Sequence, residues 1–527
     1  MELLPIPRHR EHAVSFAKQF LTQFNSHVTS VLSCFDRVIF KGYLPFHSEA
    51  ALNSWVDYGL QVRRTDFVKQ LEQRSEELVE HANACAKAAG RPYEYQQGRI
   101  DKAEFIQQII QRDQVTTGLV AVLCVQETCR TVKLAFGKQR PRLVFAKRPQ
   151  RVLYYYYLDP DFGLIYIRLE TWFPYTVQVY VNGHDWLARQ MSKRGLGFVQ
   201  EDNCFTQLDD PEQAQELADR FAQLNWVKQL SQWARRVNPH ITKGGWLAGK
   251  EYYWITEQAE FASDLLFKSR PQLADLYPRL VDHAVVNFSA KDILTFLGRK
   301  LHGNFLGEVQ TNCKKDRVPG VRVKHRMKGN WIKMYDKRGL MLRVETVINN
   351  PREFKVRRTR TRDGKPTKVW CPMNKGVTNL ASYQSVCRAA NDRYLNALSV
   401  VTDPTPAYRR VSHLTESKTH HGRRYAGFNP ARSCEVKLFQ AVLSGDHTVR
   451  GFRNADIRQQ LYSESADAQA TARRRHANAV TRLLKRLHVR GLIAKIPRTR
   501  RWRTTPLGES LLGAMVRLHY HGLPLAS

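Results

Sequence analysis

Between Ala468 and Gly508 the chain carries twelve Lys or Arg side chains and no Asp or Glu. Cations in that number cannot be buried without partners, so the stretch must meet water or a polyanion. Apolar residues are nevertheless spaced through it: Ala479, Leu483, Leu484 and Leu487 recur every three to four positions among Arg473, Arg474, Arg475, Arg482, Lys485, Arg486 and Arg490. The spacing predicts a helix with one packed face and one cationic face, ended by Gly491, which tolerates positive φ. A short apolar strand, Leu492 to Ile496, and a basic turn, Pro497-Arg498-Thr499-Arg500-Arg501, lead into Trp502-Arg503-Thr504-Thr505.

Upstream, Glu435 to Ser444 reads as a short amphipathic helix, Val449 to Phe452 as an extended segment, and Asn454 as the cap of a helix through Leu461. This order, with the exit Thr505-Pro506-Leu507-Gly508, resembles the winged helix-turn-helix of the MarR-like regulators over about the last hundred residues. The resemblance implies that the second helix of the pair enters a major groove and the wing touches backbone or minor groove. By position it makes Arg474, Arg475, Asn478, Arg482 and Arg486 base or phosphate candidates, with Arg498, Arg500 and Arg501 on the wing. The alternative is a solvated basic helix in a module that docks protein.

A chain of 527 residues with 43% hydrophobic composition can bury several cores, and typical domain sizes suggest three or four. Its formal net charge of +35 is spread along the whole length, so DNA, RNA or both are the expected partners. No run reaches the roughly eighteen apolar residues of a membrane span, and Met1 to His12 has no secretion-signal pattern. A cytoplasmic, nucleoid-associated protein is expected. Nine cysteines without a Cys-x-x-Cys pair read as reduced thiols.

The pattern predicts an α+β multidomain fold: mixed N-terminal and central sheets with helices, and a C-terminal winged helix. Residues 1–148 alternate helices with strand candidates at Phe35 to Phe40 and Gly118 to Val125; Asp36 reads as the internal partner of Arg37. Lys138 to Arg151 contains six basic residues and no acidic one and reads as a basic linker or loop. Residues 152–236 hold a hairpin, Val152 to Leu158 and Leu164 to Leu169, a third strand at Thr176 to Val181, and a helix from Asp185 to Arg194. Tyr154 to Tyr157, Tyr166 and Tyr180 make an aromatic surface, either a core or a platform on which bases stack. Residues 240–403 form the central domain, with a helical stretch from Glu257 to Gly298 broken at Pro271 and Pro278. Residues 404–433 read as a linker, and residues 434–527 as the nucleic-acid-binding domain.

Val321 to Arg326, Trp331 to Lys337 and Leu340 to Ile348 read as consecutive strands, with Lys333, Tyr335 and Lys337 on one face and Arg343 and Glu345 on one face. The Lys-x-Tyr-Asp-Lys and Leu-Arg-x-Glu pair resembles a short pattern in the rolling-circle replication initiators of plasmids and phages. That resemblance implies a sheet holding Mg or Mn and a helix bearing a nucleophilic tyrosine. Glu345 and His325 would be catalytic and metal-binding, and Tyr383 or Tyr394 would attack the phosphate. The alternative is a charge network pairing Arg343 with Glu345 and Lys333 with Asp336. Lys333, Lys337 and Arg343 join the nucleic-acid candidates, as do Arg357, Arg358 and Arg360 of a following cationic ribbon.

Through segments such as Phe35 to Pro45, Tyr175 to Leu187, Phe296 to Asn304 and Lys333 to Asn350, the chain as a whole resembles a set of long bacterial proteins, some grouped with MarR-type regulators for their last hundred residues. The expected function is nucleic-acid binding for a bacterial mobile element, with DNA nicking or strand transfer as an extension. A MarR-like transcriptional regulator and a non-catalytic subunit of a ribonucleoprotein are the alternatives.

Overall fold

The computed structural model describes residues 17–46, 48–96, 101–136, 140–299, 307–315, 321–362, 365–402, 412–430, 432–444, 447, 451–462, 470–497 and 499–521. They form two compact units, one made of the described residues within 1–275, 296–298 and 313–395, the other of those within 276–295, 299–312 and 396–527.

The fold is mixed α/β, and the first unit is organised by an 11-stranded sheet. In chain order its strands are β1 (Val28–Tyr43), β2 (Tyr93–Gln96), β3 (Gly118–Ala135), β4 (Arg142–Asp159), β5 (Gly163–Glu170) and β6 (Val177–Asn182). A separate hairpin, β7 (Phe198–Glu201) and β8 (Cys204–Leu208), precedes β9 (Tyr253–Phe267), β10 (Val309–Lys315), β11 (Val321–Met327), β12 (Asn330–Lys337) and β13 (Met341–Ile348). Across the sheet the order is β10-β11-β12-β13-β9-β1-β6-β5-β4-β3-β2. The pairings from β11 across to β3 are antiparallel, and β2 joins β3 in parallel.

Three sequence expectations change here. Residues 257–267, expected to begin a long helix, are part of central strand β9, and helices Arg270–Val286 and Ala290–Phe296 follow it. Glu, Ala and Leu favour helix locally, but Ala259, Phe261, Ala262 and Leu265 are buried between two neighbouring strands, and that packing overrides propensity. The basic stretch expected as a linker lies, from Arg142 onward, in β4, where Arg148 pairs with Cys129 and Lys147 with Arg130 of β3. The expected domains 1–148, 152–236 and 240–403 therefore share one sheet.

Helices Arg64–Ala88, Pro211–Arg220, Trp226–Val237 and Leu380–Leu398 pack on one face of this sheet. Trp226 lies against Phe40 and Phe221 against Phe35, and Asn391 donates to the Phe261 carbonyl. On the other face helix Lys102–Arg112 covers Tyr154 and Tyr156, which fill a core with Ile106 and Ile109. The strip between that helix and the β7–β8 hairpin keeps its side chains partly exposed: Arg37, Lys41, Gln178, Tyr180, Tyr166, Gln258, Lys333, Trp331 and Lys324.

In the second unit, helices Ser433–Leu443, Asn454–Tyr462 and Ala470–Val489 are followed by a small hairpin, Ile493–Lys495 with Trp502–Thr504, and by helix Pro506–His521. Val480, Leu484 and Leu487 point into a core shared with Phe439, Phe452, Leu492 and Leu512. Gly491 follows the long helix at φ +72°, as its place at the end requires. Leu414 and Phe428 belong to the same core, so the part of the expected linker 404–433 that is described is folded into this unit.

Candidate nucleic-acid interface

The cationic helix Ala470–Val489 separates its charges by face. Arg473, Arg474, Arg475, Asn478, Arg482 and Lys485 are exposed, opposite buried Val480, Leu484 and Leu487. Arg486 departs from expectation: it is half-buried, and its guanidinium donates to the Ala426 carbonyl at 3.1 Å, to that of Gly427, and to Glu435 at 3.3 Å. Arg490 is 1% exposed and donates to the carbonyls of Glu416 and Ala426. These two arginines tie residues 416–427 to the helix, so their guanidinium groups are turned into the unit. Arg500 is exposed beside the small hairpin, Arg501 donates to the Gly451 carbonyl at 3.0 Å, and Arg498 lies outside the described residues.

In the first unit the hairpin Lys355–Arg362 with Lys365–Pro372 stands as a two-stranded ribbon. Arg357 is exposed above the Trp370 ring, which is 62% exposed. Arg358 is half-buried and donates to Asn379 Oδ1 at 2.6 Å; Arg360 is on the same strand.

The central polar residues gather where β1, β9, β13 and β12 run side by side. Register sets them on one face: Lys333 lies opposite Glu345, and Arg343 opposite Asp264. Glu260 and Asp264 stand two residues either side of Ala262, the partner of Glu345. On β1 the register shifts between Phe35 and Val38, a bulge that turns both Asp36 and Arg37 toward the carboxylates of β9. His184 arrives from the turn after β6, whose helix Gly183–Ser192 is capped by Asn182. Only glycine fits at 183, because a Cβ there would lie 2.1 Å from the Phe35 carbonyl oxygen.

The network is nearly closed on itself. Arg343, fully buried, donates to both oxygens of Asp264 at 2.6 Å and to the Asn203 carbonyl at 2.7 Å. Its remaining nitrogen lies 3.7 Å from Asp36, which also accepts from Asn203 at 2.6 Å. His184 is wedged between Asp36 and Asp264 at 3.2 and 3.6 Å. Lys333 Nζ reaches Glu345 at 2.7 Å and Glu260 at 3.4 Å, and the Tyr335 hydroxyl donates to Glu345 at 2.8 Å. The pairs inferred from sequence are therefore exchanged: Arg343 holds Asp264 instead of Glu345, Lys333 holds Glu345 instead of Asp336, and Arg37 lies 3.9 Å from Glu260.

Burial first, and then the hydrogen bond with Glu345 and its charge, push the Glu260 carboxyl up to about 7 against the pull of Lys333 and Arg37. For Glu345 burial is the largest influence and acts upward, but the charge and hydrogen bond of Lys333 together with the hydrogen bond to Glu260 hold the group below the usual carboxylate range. Glu260 thus keeps a proton in the folded chain at pH values where the unfolded chain has released it. Stability should fall by about 3 kcal/mol as pH rises from its ordinary value of 4.5 to about 7. Glu260→Gln should remove that slope; urea midpoints measured across this range that fall equally in both proteins would disprove the assignment.

Three sequence candidates lie elsewhere. His325 is one residue past Lys324, which pairs with Lys333, so the pleat turns it to the face opposite Glu345. There its Nε2 is 3.0 Å from the Tyr394 hydroxyl, and burial lowers it to about 4. Tyr394 and Tyr383, on the inner side of helix Leu380–Leu398, are both 0% exposed. Neither phenol can reach a phosphate without unpacking the core, and Glu345 and His325 cannot hold one ion. Arg343 and Lys337, at 0% and 9% exposure, are likewise interior side chains. His184, Glu260 and Asp264 escaped sequence reading; the only available sign was the even spacing of Glu260 and Asp264, which a strand also places on one face.

For a metal, Asp36, Glu260 and Glu345 each bring an oxygen within 4.8 Å of the others, a hard donor set suited to a divalent cation. Lys333 already neutralises two of them, so an ion would have to displace its ammonium. Comparison with family models, curated proteins and solved structures yields no match. Among the described residues no helix is long and apolar enough to cross a membrane.

Proposed function

We propose that this protein binds nucleic acid, docking duplex DNA or structured RNA through its second unit. The observation that carries the reading is the segregated helix Ala470–Val489, whose exposed side presents Arg474, Arg475, Asn478, Arg482 and Lys485 while its buried side forms the core. Cations on one face act together on a phosphate backbone, and their displacement of counterions makes binding steeply salt-dependent. The succession of three helices, a small hairpin and a final helix supports a winged helix-turn-helix, with Arg500 on its wing. A regulator needs little beyond such a module, whereas here an 11-stranded sheet accompanies it. A larger nucleic-acid-handling assembly fits better.

Binding without strand cleavage is favoured, because Tyr383 and Tyr394 are core residues and Glu345 is held by Lys333 and Tyr335. Mg or Mn is a separate proposal resting on Asp36, Glu260 and Glu345. The test is titration of a labelled duplex and a labelled RNA stem-loop with the full chain across rising salt, with and without Mn. Affinity falling steeply with salt is expected for one or both. Absence of binding in dilute buffer would sink the proposal, and metal-dependent cleavage would overturn the binding-only form of it.

A further inference from the structure

The partly open strip of the large sheet belongs to the first unit, the cationic helix to the second. Along it, Arg37 and Lys41 of β1 stand between Tyr180 and Tyr166, on β6 and β5, and Lys324 and Trp331, on β11 and β12. Tyr166 and Tyr180 are stacked, with ring centroids 5.1 Å apart and planes 7° from parallel. Lys324 lies over the Trp331 ring at 3.9 Å. Strand order puts six spacings between β5 and β11, roughly 29 Å at about 4.8 Å per spacing. That accommodates a single strand of several nucleotides, within the site sizes of about 4–16 known for sheet-based binders.

The carboxylates beside these cations, Asp36, Glu260, Asp264 and Glu345, are buried and engaged below the surface, and the partly exposed Glu127 at the Tyr166 end is paired with Arg168 and Lys102, which leaves Arg37, Lys41 and Lys324 as the charges along the strip. Lys324 feels this crowding: burial lowers its pKa, and Lys333, Arg322 and Arg326 lower it further. An anion laid across the strip relieves that repulsion. Flat aromatic side chains among the cations give bases a surface to stack on, which a duplex, with its bases already paired, cannot use.

We propose that this strip is a second nucleic-acid site, which takes unpaired DNA or RNA by stacking on Tyr166, Tyr180 and Trp331 and by phosphate contacts to Arg37, Lys41 and Lys324. The proposal extends the nucleic-acid reading of the second unit and stands or falls separately from it. Fluorescence anisotropy of labelled oligo-dT and oligo-U of about 12 nucleotides should show binding by the full chain, the two arms telling DNA from RNA. Tyr180→Ala should weaken it roughly tenfold, and Lys41→Glu with Lys324→Glu, at partly exposed positions chosen to preserve folding, should weaken it by at least as much. Duplex binding should change less than twofold. Single-strand affinity unaltered in the charge-reversed variant, or abolished instead by neutralising Arg474, Arg475 and Arg482, would overturn the proposal. Loss of single-strand binding in that variant, in a chain that never binds duplex, would uphold this site while refuting the duplex reading.

Discussion

Arg343→Met is expected to destabilise the first unit by about 3–5 kcal/mol, among the largest effects of any single substitution in the sheet. Arg343 is fully buried and fixes both oxygens of Asp264, with Asp36 and His184 close by. Methionine matches much of its length but leaves Asp264 ionised and unpaired in the interior. The cost is the desolvation of that carboxylate, since the methionine itself packs acceptably. Removing the carboxylate as well should return part of the loss, so Arg343→Met with Asp264→Leu should be more stable than Arg343→Met alone. Urea unfolding of the three proteins measures this. An Arg343→Met midpoint equal to the wild-type one would show that the network contributes little.

Neutralising Arg474, Arg475 and Arg482 together to alanine should cost on the order of 100-fold in duplex affinity near 0.1 M salt. It should also flatten the log–log salt slope by about three, because each phosphate contact contributes about 0.9 to it. All three are exposed on the side of the helix away from Val480, Leu484 and Leu487, so folding should be undisturbed. Arg490→Ala provides the contrast. Its side chain is buried and bonded to the carbonyls of Glu416 and Ala426, so the variant should lose stability and keep the salt slope of the wild type. Equal slopes for the triple variant and the wild type would place the duplex contacts elsewhere on the chain.

Much of the second unit was legible because its signals are local. The helix Ala470–Val489, the positive φ at Gly491 and the hairpin after it follow from spacing and turn chemistry within thirty-odd residues. The central site was legible only in halves. β12 and β13 could be read as neighbours, which put Lys333 and Glu345 within reach of each other. Most of β9 reads as helix from its sequence, since Glu260 and Asp264 four residues apart satisfy either period, and without β9 beside them Arg343 and Lys333 have no visible partners but Glu345 and Asp336. The aromatic run divides similarly: Tyr154 and Tyr156 are core, Tyr166 packs against that core with its ring partly exposed, and Tyr180 beside it is also partly exposed.

Sequence alone settled the excess of positive charge, the amphipathic helices and the alternating strands, because each depends on residues close together along the chain. Which cations remain available to a partner was decided by the tertiary structure. Arg343, Arg486 and Arg490 look no different from Arg474 or Arg482 in a list of residues, yet they are committed to acceptors up to 140 positions away in the sequence. A buried charge must find a partner, and the partner available to it is set by strand order and register, which local sequence does not encode.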